Sequence, residues 1–82
     1  MDPNANLREQ LHLTNDIERL TNKISQRFAD ADAGRITLSE RDEKNADDRE
    51  EIHELAEQLS HKVRDLNFWL LRGGFAPEGQ RV

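Results

Sequence analysis

The chain has 82 residues, no cysteine and a net charge of −5, with 34% hydrophobic and 35% charged residues. That length allows one domain, near the lower limit at which a single core stabilises a fold unaided, and no disulfide or thiolate–zinc framework is possible. The longest uncharged apolar run, LNFWLL, is far short of the roughly 20 residues that span a bilayer, and no basic start leads into an apolar block. The expectation is a soluble, cytoplasmic, membrane-free protein of a single helical domain over 1–82.

The first predicted element is a helix over about 4–32. It has two possible starts: Asp2 as cap with Pro3 in the first helical position, or Asn6 as cap with Glu9 three residues on. At about 100° per residue, Leu13, Ile17, Leu20, Ile24, Phe28 and Ala31 fall on one stripe. Leu7 and Leu11 lie off it. The repeated LTN of LTNDIER and LTNKISQ is a heptad echo of coiled-coil type within this one helix.

Gly34 ends the helix, and a turn or connector is expected over about 33–46. Thr37 with Glu40 three residues later is a capping box, so helix from 38 is the alternative for that segment. SERDEKNADDREE has almost nothing apolar to bury. Apolar spacing returns at Ile52 and runs through Leu55, Ala56, Leu59, Val63, Leu66, Trp69 and Leu70, giving a second helix to about 72. Gly74 is the expected left-handed residue after it, with Phe75 folding back onto Leu70, Pro77 blocking continuation and 73–82 as a tail.

The apolar parts of the two helices, Leu7–Asp32 and Asp47–Arg72, each run 26 residues, roughly 39 Å at 1.5 Å per residue. They match as an antiparallel hairpin. One neighbour covers only one side of each stripe, so two hairpins are expected to pair into a homodimeric four-helix bundle. Its core would be Leu13, Ile17, Leu20, Ile24 and Phe28 with Ile52, Leu55, Leu59, Val63, Leu66 and Leu70. At the open end, Leu7, Leu11, Phe68, Trp69, Leu71 and Phe75 are expected to meet, either as a local mini-core or as a docking surface for the dimer or another partner.

Charge is uneven. Glu40 to Glu57 holds nine acids against Arg41, Lys44 and Arg49, so that stretch carries −6 and the remainder of the chain +1. This reads as a solvated helix face, or as an acidic surface for a basic partner or a mimic of nucleic acid. Direct nucleic-acid binding is not expected, because no Lys and Arg cluster to meet phosphates.

Tests for chemistry fail on spacing. ADADAGRITLSE resembles a calcium loop, but with Gly34 at the sixth position the ligand positions 1, 3 and 5 fall on Ala29, Ala31 and Ala33. His53, Glu57 and His61 share one helix face at metal-binding spacing, with Glu50 nearby, yet that face points away from the apolar stripe. There is no phosphate loop and no nucleophile elbow. No catalytic residue, metal or cofactor is expected, and the chain reads as a non-enzyme.

The opening MDPNANLREQL and the closing WLLRGGFAP resemble a group of small acidic helical proteins of unknown function encoded by actinobacterial phages and their hosts. Members share an Asn-rich lead into a Leu-patterned helix and an ending of the form W-L-x-R-G-G-F-x-P. The segment ITLSERDEKNADDREE is longer than the connectors of that group. The resemblance implies a phage or prophage origin and transfers no site. Together these readings give a phage-encoded accessory protein that binds a host or phage protein in the host cytoplasm. A minor virion or scaffolding component is the alternative, and an acidic nucleic-acid mimic the third.

Overall fold

The structure, a computed structural model, describes residues 2–74. Two helices, α1 (Pro3–Asp32) and α2 (Leu38–Leu71), form an all-α antiparallel hairpin of 56 × 20 × 16 Å. Local chemistry sets each boundary. Asp2 caps α1, its carboxylate accepting from the Asn4 and Ala5 amides at 3.0 and 3.3 Å, and Pro3 occupies the first turn, where a missing N–H costs nothing. Thr37 caps α2 by accepting from the Glu40 amide at 3.0 Å, and Glu40 suits the positive end of that helix. The acidic segment from 38 is therefore helix, not connector.

Both helices end in Schellman motifs. At α1, Gly34 has φ +76°, its amide donates to the Ala31 carbonyl and that of Arg35 to the Asp30 carbonyl. An ion pair, Arg35 to Asp30 at 3.0 Å, replaces the usual hydrophobic contact across that motif. At α2 the left-handed residue is Gly73, φ +83°, and not Gly74. Gly73 donates to Leu70 and Gly74 to Trp69. Gly74 lies so close under the Trp69 indole that a methyl group built there would overlap the ring. The contact expected of Phe75 lies outside the described residues.

The helices meet along a seam with strict alternation of four and three. On α1 it runs Asn6, Gln10, Leu13, Ile17, Leu20, Ile24, Arg27, Ala31; on α2 it runs Arg41, Asn45, Asp48, Ile52, Leu55, Leu59, Lys62, Leu66, Trp69. Every one of these is buried or half-buried. This is the seam of an antiparallel coiled coil. Counting heptads from the Arg27–Asn45 contact sets Leu20 opposite Ile52 and Leu13 opposite Leu59. The apolar layers thus occupy the middle, with polar layers at both ends.

Three members of the expected core, Phe28, Val63 and Leu70, fall outside this seam. Phe28 and Val63 are each 40% exposed, and the seam takes Arg27 and Lys62 one residue earlier. The cause is helical geometry. Leu20, Ile24 and Phe28, like Leu55, Leu59 and Val63, are separated by two successive steps of four, which carry the third residue about 80° past a full number of turns. Leu70 likewise sits half-buried beside the seam. The fully buried apolar side chains are Leu20 and Leu66, at 2% and 4% exposure.

Candidate functional site

The polar residues of the seam decide how the helices register. Asn6 is not a cap. It is buried inside α1, where its amide donates across the hairpin to the Lys62 carbonyl at 3.0 Å and its oxygen accepts from Gln10 Nε2 at 2.7 Å. At the other end Arg27 reaches Asn45 Oδ1 at 3.4 Å and forms an ion pair with Asp48. Asn45 is 1% exposed and its Nδ2 has no partner, a cost of about 1–3 kcal/mol for a buried donor. Lys62 lays its aliphatic stem along the seam and carries its amine out to Glu9; the Glu9 carboxylate, by its hydrogen bond and charge, holds that amine above the usual lysine range.

Apolar spacing alone does not pick out Asn6, Gln10, Arg27, Asn45, Asp48 and Lys62 as seam residues. A signal existed. Asn6, Leu13, Leu20 and Arg27 recur every seven residues, as do Asn45, Ile52, Leu59 and Leu66, but a search for apolar spacing passes over the polar members.

The seam divides the remaining surface into two long sides of different character. Glu9, His12 and Gln58 line a shallow groove beside Leu13 and Lys62, marking one side; at 100° per residue that side also carries Asp16, Arg19, Lys23 and Asp30 of α1 and Lys44, Asp47, Glu51, Glu54 and Asp65 of α2. Phe28, under the Arg41 guanidinium at 5.0 Å, marks the other. There the apolar residues Leu7, Leu11, Phe28, Ala46, Ala56, Val63 and Leu70 alternate with Thr14, Thr21 and small polar residues, and the ionisable ones are Glu18, Asp32, Asp42, Arg49 and, at its outer edge, His53.

The acids of α2 form a third feature. Glu40, Glu43, Asp47, Glu50, Glu54 and Glu57 step by three and four, every one exposed, along the outer edge of the charged side. The rise between them is about 4.5–6 Å, wider than the ~3.4 Å per charge along one strand of a nucleic-acid duplex.

Of the six residues expected at the open end, the five described ones are not gathered into one cluster. Trp69 is half-buried in the seam over Gly74, and Leu7 is half-buried. Leu11 is exposed on the charge-poor side, Phe68 is exposed beside Asp65 and Arg72 on the opposite one, and Leu71 is 83% exposed; Phe75 is outside the described residues. Helical pitch separates them, since Phe68, Trp69 and Leu71 point in three directions.

His53 pairs with Glu57 at 3.4 Å on the solvated back of α2, with both side chains largely exposed. Among the described residues no three His, Cys, Asp or Glu converge as metal ligands, and no helix is long and apolar enough to cross a membrane. Compared with known proteins, the chain matches no family model, no curated protein and no solved structure.

Proposed function

We propose that this protein is a non-enzymatic interaction module that pairs with a second copy and acts by binding a host or phage protein in the host cytoplasm, as a phage-encoded accessory factor. One observation supports the self-association: among the described residues, Leu20 and Leu66 are the buried apolar side chains of a 56 Å hairpin, so most of its apolar surface is only half covered by the neighbouring helix; the phage origin rests on the resemblance of the two chain ends. A fold this thin gains stability by adding a further layer.

The exposed acidic stripe of α2 supports a second reading, in which that edge meets a basic surface, as on a nucleic-acid-binding protein whose ligand it imitates. Affinity capture from host lysate tests both. The wild-type chain is expected to retain a specific protein. A triple variant, Glu43→Lys with Glu50→Lys and Glu57→Lys, loses it if the stripe is the contact and keeps it if another surface is. Recovery of nothing beyond the background of an unrelated acidic helical protein overturns the partner-binding reading.

A further inference from the structure

We propose that the second copy docks on the charge-poor side of the hairpin, about a two-fold axis, so that each protomer buries its own Thr14, Thr21, Phe28, Ala56 and Val63 against the other. This rests on the self-association in the reading above and assigns its surface.

Three observations carry it. The side is more apolar than its sequence suggests: Thr14 and Thr21 return their hydroxyls to the carbonyls of Gln10 and Ile17, at 2.9 and 2.8 Å, and so meet their main polar need within the helix. Protein interfaces deplete charge at their centre, and the middle of this side carries Glu18 and Arg49 where the opposite side carries charges on nearly every turn. Finally, a side 56 Å long and 20 Å wide offers an area comparable to the ~800 Å² per partner of a standard interface.

The occupant follows from self-complementarity. A two-fold contact places the same patch on both subunits; the side with Glu9, Asp16, Asp30, Asp47, Glu51, Glu54 and Asp65 against Arg19, Lys23 and Lys44 would set an excess of like charge against itself, and the charge-poor side has a smaller excess. A partner selected by charge would find more to recognise on the opposite side. This geometry leaves the acidic stripe of α2 outward and free in both protomers.

Because the chain has no cysteine, single thiols report the surface directly. Ala56→Cys and Gln58→Cys sit two residues apart on opposite sides of the hairpin. Sedimentation of the wild-type chain at micromolar concentration is expected to give a dimer. Thiol labelling of Ala56→Cys slows several-fold as protein concentration rises through the dimer range, while labelling of Gln58→Cys does not change. In parallel, Thr21→Glu with Ala56→Glu shifts the species to monomer and Gln58→Glu stays dimeric. A wild-type dimer whose Ala56→Cys labelling ignores concentration overturns this surface and leaves self-association standing. A wild-type monomer at every concentration overturns both. The labelling readout holds even if the double Glu variant fails to fold.

Discussion

The two long sides of the hairpin are built on the same helices, yet one is laced with charges and the other carries few. The difference teaches where such a thin fold divides its work. Ionised side chains on one side keep the hairpin in solution and form pairs of small value when exposed. The other side spends its hydroxyls on its own backbone and presents methyl groups and a phenyl ring. Between them lies a seam whose middle is apolar and whose ends are polar, and this seam holds the two sides apart.

The most drastic way to break the contrast is to remove the seam. Leu20→Ala or Leu66→Ala is expected to cost about 2–5 kcal/mol, a large share of the stability of a domain this size, with loss of helical signal by circular dichroism. A denaturation midpoint unchanged by either would mean that the helices are held together by something other than this seam.

At the open end, Trp69 lies in the seam and Phe68 on the charged side. Trp69→Ala is expected to cost about 2–3 kcal/mol, below the range for a fully buried ring, and Phe68→Ala less than about 1 kcal/mol. Equal costs in urea unfolding would place Phe68 in the core and redraw the boundary.

The two buried asparagines sharpen the comparison further, because one is satisfied and the other is not. Asn6→Ala removes two hydrogen bonds and is expected to destabilise by about 1–3 kcal/mol. Asn45→Leu removes an unpaired donor and is expected to be neutral or stabilising by about 1 kcal/mol, while loosening register, as polar seam residues do in coiled coils. Register is read from amide spectra: broadened or doubled resonances near Arg27 and Asp48 in Asn45→Leu, and single ones in the wild type.

The smallest expected effect lies on the charged side at the end of α1. Hydrogen bonds from Gln26 and then Arg35 hold the Asp30 carboxyl below its ordinary range. A carboxyl lowered by folding stabilises above its unfolded value, about 3.9, and this contribution is lost as pH falls through the lower folded value. Asp30→Asn should therefore melt slightly below the wild type at neutral pH, and the gap should close in acid. A gap that persists unchanged at pH near 2 would assign the effect to packing.

Much of the fold was legible in the chain because its causes are local. Asp2 with Pro3, Thr37 with Glu40, and the glycines after each helix act within a few residues, so three of the four helix limits could be read within a residue or two. The choice at 38–46 was open only because that segment has no apolar stripe; its cap and helix-forming residues decide it. The mismatches are equally particular. Gly73 rather than Gly74 took the left-handed position, with Gly74 seated instead beneath Trp69.

What the sequence alone determined about this protein is two amphipathic helices, their caps and their antiparallel pairing, all consequences of a 3.6-residue period and short-range hydrogen bonds. Tertiary structure alone decided the seam. Whether Arg27 or Phe28, Lys62 or Val63 faces inward depends on the angle accumulated along both helices at once, and on ion pairs with Asp48 and Glu9 that join residues far apart in the chain. The same register buried Asn6 and Asn45 and sorted the surface into a charged and a charge-poor side, because a one-residue shift turns a helix by about 100° and moves each side chain to a different neighbour.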